Sequence, residues 1–229
     1  MFNFARFGDW LLRPHCLLCG AGEAENIGIC QPCLNDLPWH PASSCLQCGL
    51  ASNGLVCGAC LSHPPHYDAT HAVFTYAYPV DAMLQRFKYG EMLNLGHTFG
   101  QLLAKSTASR DVDMIIPMPM HPKRIQERGF NQAQEIARHL DKTKLNMHSA
   151  IWQKLTPPQA SLPLKERIKN IKGAFAVNAD KLNQIQGKRI AIVDDVMTSG
   201  ASLNELAKTL KKAGASHVEC WVIAHTLPP

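Results

Sequence analysis

The chain has 229 residues, 46% hydrophobic and 18% charged, with a formal net charge of +5. That is enough apolar residue for a real core in slightly more than one average domain. It contains no run of eighteen or more apolar residues, so no membrane-spanning segment is expected. The opening residues, MFNFARFGDWLLRP, lack the apolar stretch and small-residue cleavage site of a secretory signal, and an intracellular protein is expected. Phe4, Phe7, Trp10 and Leu11 recur at helical spacing and predict a short docked helix.

Eight of the nine cysteines follow within residues 16–60 as four C-x-x-C pairs: Cys16/Cys19, Cys30/Cys33, Cys45/Cys48 and Cys57/Cys60. In a chain without an export signal such clusters read as metal sites rather than disulfides. Two sulfurs three residues apart reach one ion from a tight turn, and Zn²⁺ takes four in a tetrahedron. CLLCG and CLQCG end in glycine, which lets the backbone curl so that amides donate to the thiolates. The order reads as one ribbon written twice, giving two zinc ions with sequential pairing. A cross-braced pairing also fits the spacing, and a redox role for one pair is the competing reading. An all-sulfur site has no open position, so the zinc is structural, stabilising a region too small for its own core. Residues 1–66 carry Arg6 and Arg13 against four acids, a net −2. Each Cys₄ zinc adds a formal charge of about −2. This argues against the module as the main DNA contact and favours protein docking or an intramolecular lid.

The breaker SHPPHYD closes that module, and residues 67–229 read differently. A strand is predicted from His71 to Tyr78, then helices near Pro79–Lys88 and Leu93–Lys105, the second with an apolar face of Leu95, Phe99, Leu102 and Leu103. From residue 111 strands and helices alternate: VDMII (strand), FNQAQEIARHL (helix), AFAV (strand), KRIAIVDD (strand), SLNELAKTLKKAG (helix) and HVECWVIAH (strand). Alternation of this kind implies βαβ units, an α/β domain with a mostly parallel sheet. Cys220, alone in ECWVIA, is expected to be an inert buried thiol. Residues 152–172 form a long basic segment of the length that is usually functional or mobile. Residues 121–172 hold eleven Lys/Arg against four acids, the chain's whole basic surplus in that domain. Such concentration points to an anionic ligand nearby.

The stretch IAIVDDVMTSGASLNEL, residues 190–206, is the most informative. A buried strand is predicted to end in Asp194 and Asp195, and the loop TSGAS then opens a helix. Ser202 and Glu205 have the spacing of a capping box. The amides of residues 198–202, the hydroxyls of Thr198, Ser199 and Ser202, and the helix dipole would together form a phosphate pocket. Gly200 would allow close approach. The two carboxylates can accept from the vicinal hydroxyls of a ribose whose 5′-phosphate occupies the loop.

Here the chain resembles the type I phosphoribosyltransferases, whose motif is a hydrophobic strand, two acids and a T-[ST]-G-x-[ST] loop. The resemblance implies that fold, ribose hydroxyls on Asp194 and Asp195, and phosphoribosyl pyrophosphate bound with Mg²⁺. Two further segments narrow the likeness. IIPMPMHPKRIQERGFNQAQEIA, residues 115–137, supplies Arg124 and Arg128 as pyrophosphate donors. TPPQASLPLKERIKNIKGAF, residues 156–175, carries Lys165, Arg167 and Lys169. With the cysteine pairs and RFKYG at residues 86–90, the whole order is similar to the ComF family. The ligand set this implies is Asp194, Asp195, Val196, Met197, Thr198, Ser199, Gly200, Ala201, Ser202, Met118, Lys165 and Arg167. Asp194, Asp195, Arg124 and Arg128 are the catalytic set if turnover occurs. The family resemblance further implies a cytoplasmic role in handling single-stranded DNA, with DNA-uptake or helicase proteins as partners and no membrane insertion. An active transferase on a nitrogen nucleophile, or a non-catalytic nucleotide sensor and DNA-binding adaptor, are the alternatives. Phe130 and Trp152 are candidates for base stacking, although such aromatics more often occupy core positions.

Overall fold

The computed structural model describes residues 15–22, 24, 26–90, 92–154 and 171–227. The expected N-terminal helix and the segment bearing Lys165, Arg167 and Lys169 lie outside the described residues.

Four strands, β1 (Ala69–Thr75), β2 (Met114–Pro117), β5 (Arg189–Met197) and β6 (His217–His225), form one sheet in the order β1-β6-β5-β2, all parallel. Side chains along them alternate between two cores, as the period of two requires. Ile115, Ala191, Val193, Trp221 and Ile223 face one core, with α3 (Val80–Lys88), α4 (Leu95–Ser106) and α6 (Gln132–Ala137). Ile116, Ile190, Ile192, Cys220 and Val222 face the other, with α7 (Leu182–Ile185), α8 (Ala201–Lys212) and the antiparallel pair β3 (Ala150–Trp152) and β4 (Phe175–Val177). Burial on both faces explains why these strands read as continuous apolar runs. Among the described residues no helix is long and apolar enough to cross a membrane.

Several elements differ from expectation. β1 ends at Thr75 rather than Tyr78. A basic helix, α5 (Pro122–Arg128), stands where a loop was expected, and it buries no residue. His121 caps it, its Nδ1 accepting from the Lys123 amide at 3.0 Å, and Gly129 ends it at φ 79°. β5 does not stop at the acids but runs on to Met197, paired with His225 of β6.

The cysteine region adds α1 (Gln31–Asn35) and α2 (Gly58–Ser62). It lies along β1, the outer strand of the sheet. The amides of Thr70 and Thr75 donate to Leu46 and Pro38, and the His40 amide donates to Val73. A strand edge that would otherwise expose unpaired polar groups is thereby covered.

Candidate functional site

The eight cysteines form two tetrads, Cys16, Cys19, Cys30 and Cys33, then Cys45, Cys48, Cys57 and Cys60. Within each, all ligand atoms lie within 4.8 Å of one another, so the pairing is sequential and not cross-braced. Cys19–Cys30 and Cys48–Cys57 are each 3.7 Å apart. Metal–sulfur bonds of about 2.3 Å in a tetrahedron require roughly this spacing. All nine cysteines are free thiols. Burial pushes the Cys16 thiol up, but the backbone amides of Cys19, Cys30 and Leu18 outweigh it and bring it down to about 6. Cys45 behaves alike: burial opposes, the amides of Cys48, Cys57 and Gln47 prevail, and it falls to about 6. Hydrogen bonding to Cys19 and Cys30, with burial, instead holds Cys33 up at about 12. Four crowded thiols of which only some ionise readily are what a divalent cation completes. The donor set fits Zn²⁺, and its role is structural.

The second constellation lies at the C-terminal ends of β2 and β5. Pro117 pairs with Val193, so residues 118–131 and 194–202 emerge side by side. The helix after β2's loop, α6, packs chiefly on one core and α8, after β5, on the other. Such a switch point opens a crevice between the two loops.

On one side of it, α8 starts at Ala201 behind Gly200, whose φ is 69°. A Cβ there would meet the Met197 methyl at 2.7 Å and the Tyr67 hydroxyl at 3.2 Å. Only glycine suits this turn. The expected capping box does not form: α8 has no side-chain cap, and the Glu205 carboxylate accepts from the Gly173 amide at 2.8 Å instead. Among the described residues nothing accepts from the amides of residues 198–203, and Thr198 and Ser199 are exposed. The mouth of a twelve-residue helix is thus left with unbonded donors.

Beside it, Asp194 accepts from the Asp195 amide at 2.9 Å. Burial, then the charge of Asp195, raise the Asp194 carboxyl to about 8. Asp195 faces Lys88 at the end of α3, with Nζ 3.3 Å from Oδ2. Arg124 and Arg128 lie on α5, and Arg124 is within the field of both acids. Arg128 donates to the Gln132 side chain at 3.0 Å. Met118 is buried, its amide donating to Val193 and its carbonyl accepting from Asn131. Val196 is half-buried and Met197 buried beneath the loop. Phe130 packs on Phe87, and Trp152 stands between His121 and Phe175.

The double zinc ribbon domain family matches residues 7–61, and the phosphoribosyl transferase domain family matches residues 125–227. Competence protein F of Haemophilus influenzae is 33% identical over 238 residues, covering 98% of this chain and 99% of that protein. The chain belongs to the ComF family. DNA utilization protein YhgH of Escherichia coli K12 is 28% identical over 225 residues, covering 93% of the chain and 97% of that protein. Competence protein ComFC of Bacillus subtilis is 24% identical over 222 residues, covering 87% and 89%.

Several residues around the crevice of this ComF chain were missed in the sequence. Lys88 carries no signal in the sequence beyond its place at a predicted helix end and in RFKYG. Gln132, 1% exposed, joins Arg128 to the Lys88 carbonyl. Asn131 fixes the loop after β2 by bonding both Met118 and the Ala133 amide. Tyr67 supports Gly200 from below. A polar residue before a helix was the one available signal, and it applied only to Asn131.

Proposed function

We propose that the crevice binds phosphoribosyl pyrophosphate, and that the protein acts in the cytoplasm in the use or uptake of single-stranded DNA. The carrying observation is the set of unbonded amides at residues 198–203 beside two carboxylates. A phosphate monoester accepts from those amides and from Thr198, Ser199 and Ser202, aided by the α8 dipole. Asp194 and Asp195 hold the ribose hydroxyls. With its pKa raised to about 8, Asp194 keeps its proton at neutral pH and can both donate and accept. Arg124 and Arg128 take the pyrophosphate, to which guanidinium is geometrically matched. Lys165 and Arg167 add charge from the segment that follows β3.

Mg²⁺ would accompany the pyrophosphate and neutralise part of its charge; hard oxygen donors of the kind it takes are present in Asp194 and Asp195. Residues 1–66 serve as the ribbon module and residues 67–229 as the phosphoribosyl-binding domain. The DNA role rests on the names of the relatives, Competence protein F and DNA utilization protein, together with the basic surplus of residues 121–172. The engaged rings of Phe130 and Trp152 favour contacts to phosphate over base stacking.

Titration with phosphoribosyl pyrophosphate and with single-stranded DNA, separately and together, tests this reading. Both are expected to bind and to compete for the same basic crevice. DNA affinity should fall with salt at a log–log slope of about −0.7 per phosphate contacted. Absence of phosphoribosyl pyrophosphate binding, or a flat salt response, would contradict it.

A further inference from the structure

We propose that Lys88 is a positioning residue that holds Asp195 for hydroxyl recognition and so sets the preference of the crevice for ribose over 2-deoxyribose. This inference rests on the phosphoribosyl reading above and adds a determinant of which sugar is accepted.

Lys88 is held both at its backbone and at its side-chain tip. Its Nζ lies 3.3 Å from Asp195 Oδ2, with the two side chains only 19% and 13% exposed. That oxygen is buried and accepts no hydrogen bond from any described residue. The ammonium group is therefore its counterion in a largely desolvated setting, where losing one partner costs far more than at the surface. The preceding residue, Phe87, is fully buried with its ring against Phe99 and Phe130 at 5.8 and 5.4 Å. The carbonyl of Lys88 accepts from Gln132 at 3.4 Å, and Gln132 accepts from Arg128 at 3.0 Å. The last turn of α3 is thus pinned from two directions, and Nζ at the end of the Lys88 stem is held by its contact with Asp195.

With Asp194 protonated, Asp195 carries the charge of the pair, and without a nearby cation its buried carboxylate would turn towards solvent or take up a proton itself. Around this pair the charged or titratable neighbours are Lys88 from α3, Arg124 from α5 and the buried Cys220 thiol from β6. Arg124 is exposed, which leaves Lys88 as the enclosed cation. A site built to bond two hydroxyls rejects a sugar lacking one of them, because its acceptor is left unpaired. That rejection requires Asp195 to be held in place.

Calorimetric titration with ribose 5-phosphate and with 2-deoxyribose 5-phosphate reads this directly. Wild-type protein should prefer the ribose sugar by about tenfold, the scale of one hydrogen bond to a charged group. Lys88→Met should bring the ratio towards one while affinity for the 2-deoxy sugar, held by its phosphate, changes little. Lys88→Arg should keep most of the preference. An unchanged ratio in Lys88→Met, or equal weakening of both sugars, would overturn the proposal. Should Lys88→Met fail to fold, Lys88→Gln against Lys88→Arg gives the same comparison. A wild-type protein that binds both sugars equally also overturns it. Failure of wild type to bind either sugar is distinct: it sinks the phosphoribosyl reading itself and the inference with it.

Discussion

Glu219 is a fully enclosed carboxylate on β6, with Arg110 and Trp221 each 2.9 Å away, His217 at 3.1 Å and His71 at 3.4 Å. Burial alone would raise its pKa, but the close approach of His71 and hydrogen bonds from Arg110 and Trp221 outweigh that and hold it far below its ordinary 4.5. A carboxyl depressed in the folded state contributes stability above its unfolded pKa and loses it as pH falls through the folded value. Thermal stability should therefore decline as pH drops below about 4.5. Glu219→Gln should cost about 2–4 kcal/mol at neutral pH, below the upper range for buried pairs because Arg110 is partly exposed. The variant should also flatten that acid decline; melting curves from pH 3 to 7 check both, and an unchanged acid slope would remove the assignment. Glu219 sits three residues into β6, away from the C-terminal end that borders the crevice, so ligand binding should be spared. Nothing in ECWVIA foretold this network, since Arg110 and His71 are remote in sequence.

Among the elements, the second ribbon is bonded both to β1 and to residues beneath the 198–202 loop. Gln47 donates to the Tyr67 carbonyl and accepts from the Thr70 hydroxyl, while the His66 amide donates to Asn204 of α8. Stripping zinc with a chelator should therefore speed hydrogen exchange at the Thr70 and Thr75 amides, which donate to Leu46 and Pro38. Cys45→Ser should do the same at Thr70 with the first tetrad intact. Unaltered protection at both amides would show that the ribbon does not hold this edge. The order of strands and helices was legible because strands buried on both faces are apolar throughout and the helices between them are amphipathic. Helix α5 was not, because it buries nothing and takes its ends from His121 and Gly129. The Ser202–Glu205 spacing misled because Gly173, twenty-nine residues before Ser202 in sequence, claims the glutamate. Ribbon pairing was open in the spacing and was decided by which sulfurs the turns bring within reach.

For the whole molecule, charge is divided between an acidic ribbon region at −2 and a remainder at +7. Arg124, in the basic stretch, lies within the field of Asp194 and Asp195, so the proposed anion site draws on that excess. The helix mouth and acid pair were readable locally because they are contiguous in sequence. Lys88 and Gln132, which complete the crevice, come from helices brought in by the fold. The proposed function requires this crevice to hold a phosphorylated ribose. It is tested most directly by thermal unfolding with phosphoribosyl pyrophosphate and Mg²⁺, comparing wild type with the Asp194→Ala, Asp195→Ala double variant. A ligand at a hundred times its Kd should stabilise the wild-type protein by about 2.7 kcal/mol and the double variant not at all. Equal stabilisation of the two proteins would contradict the account.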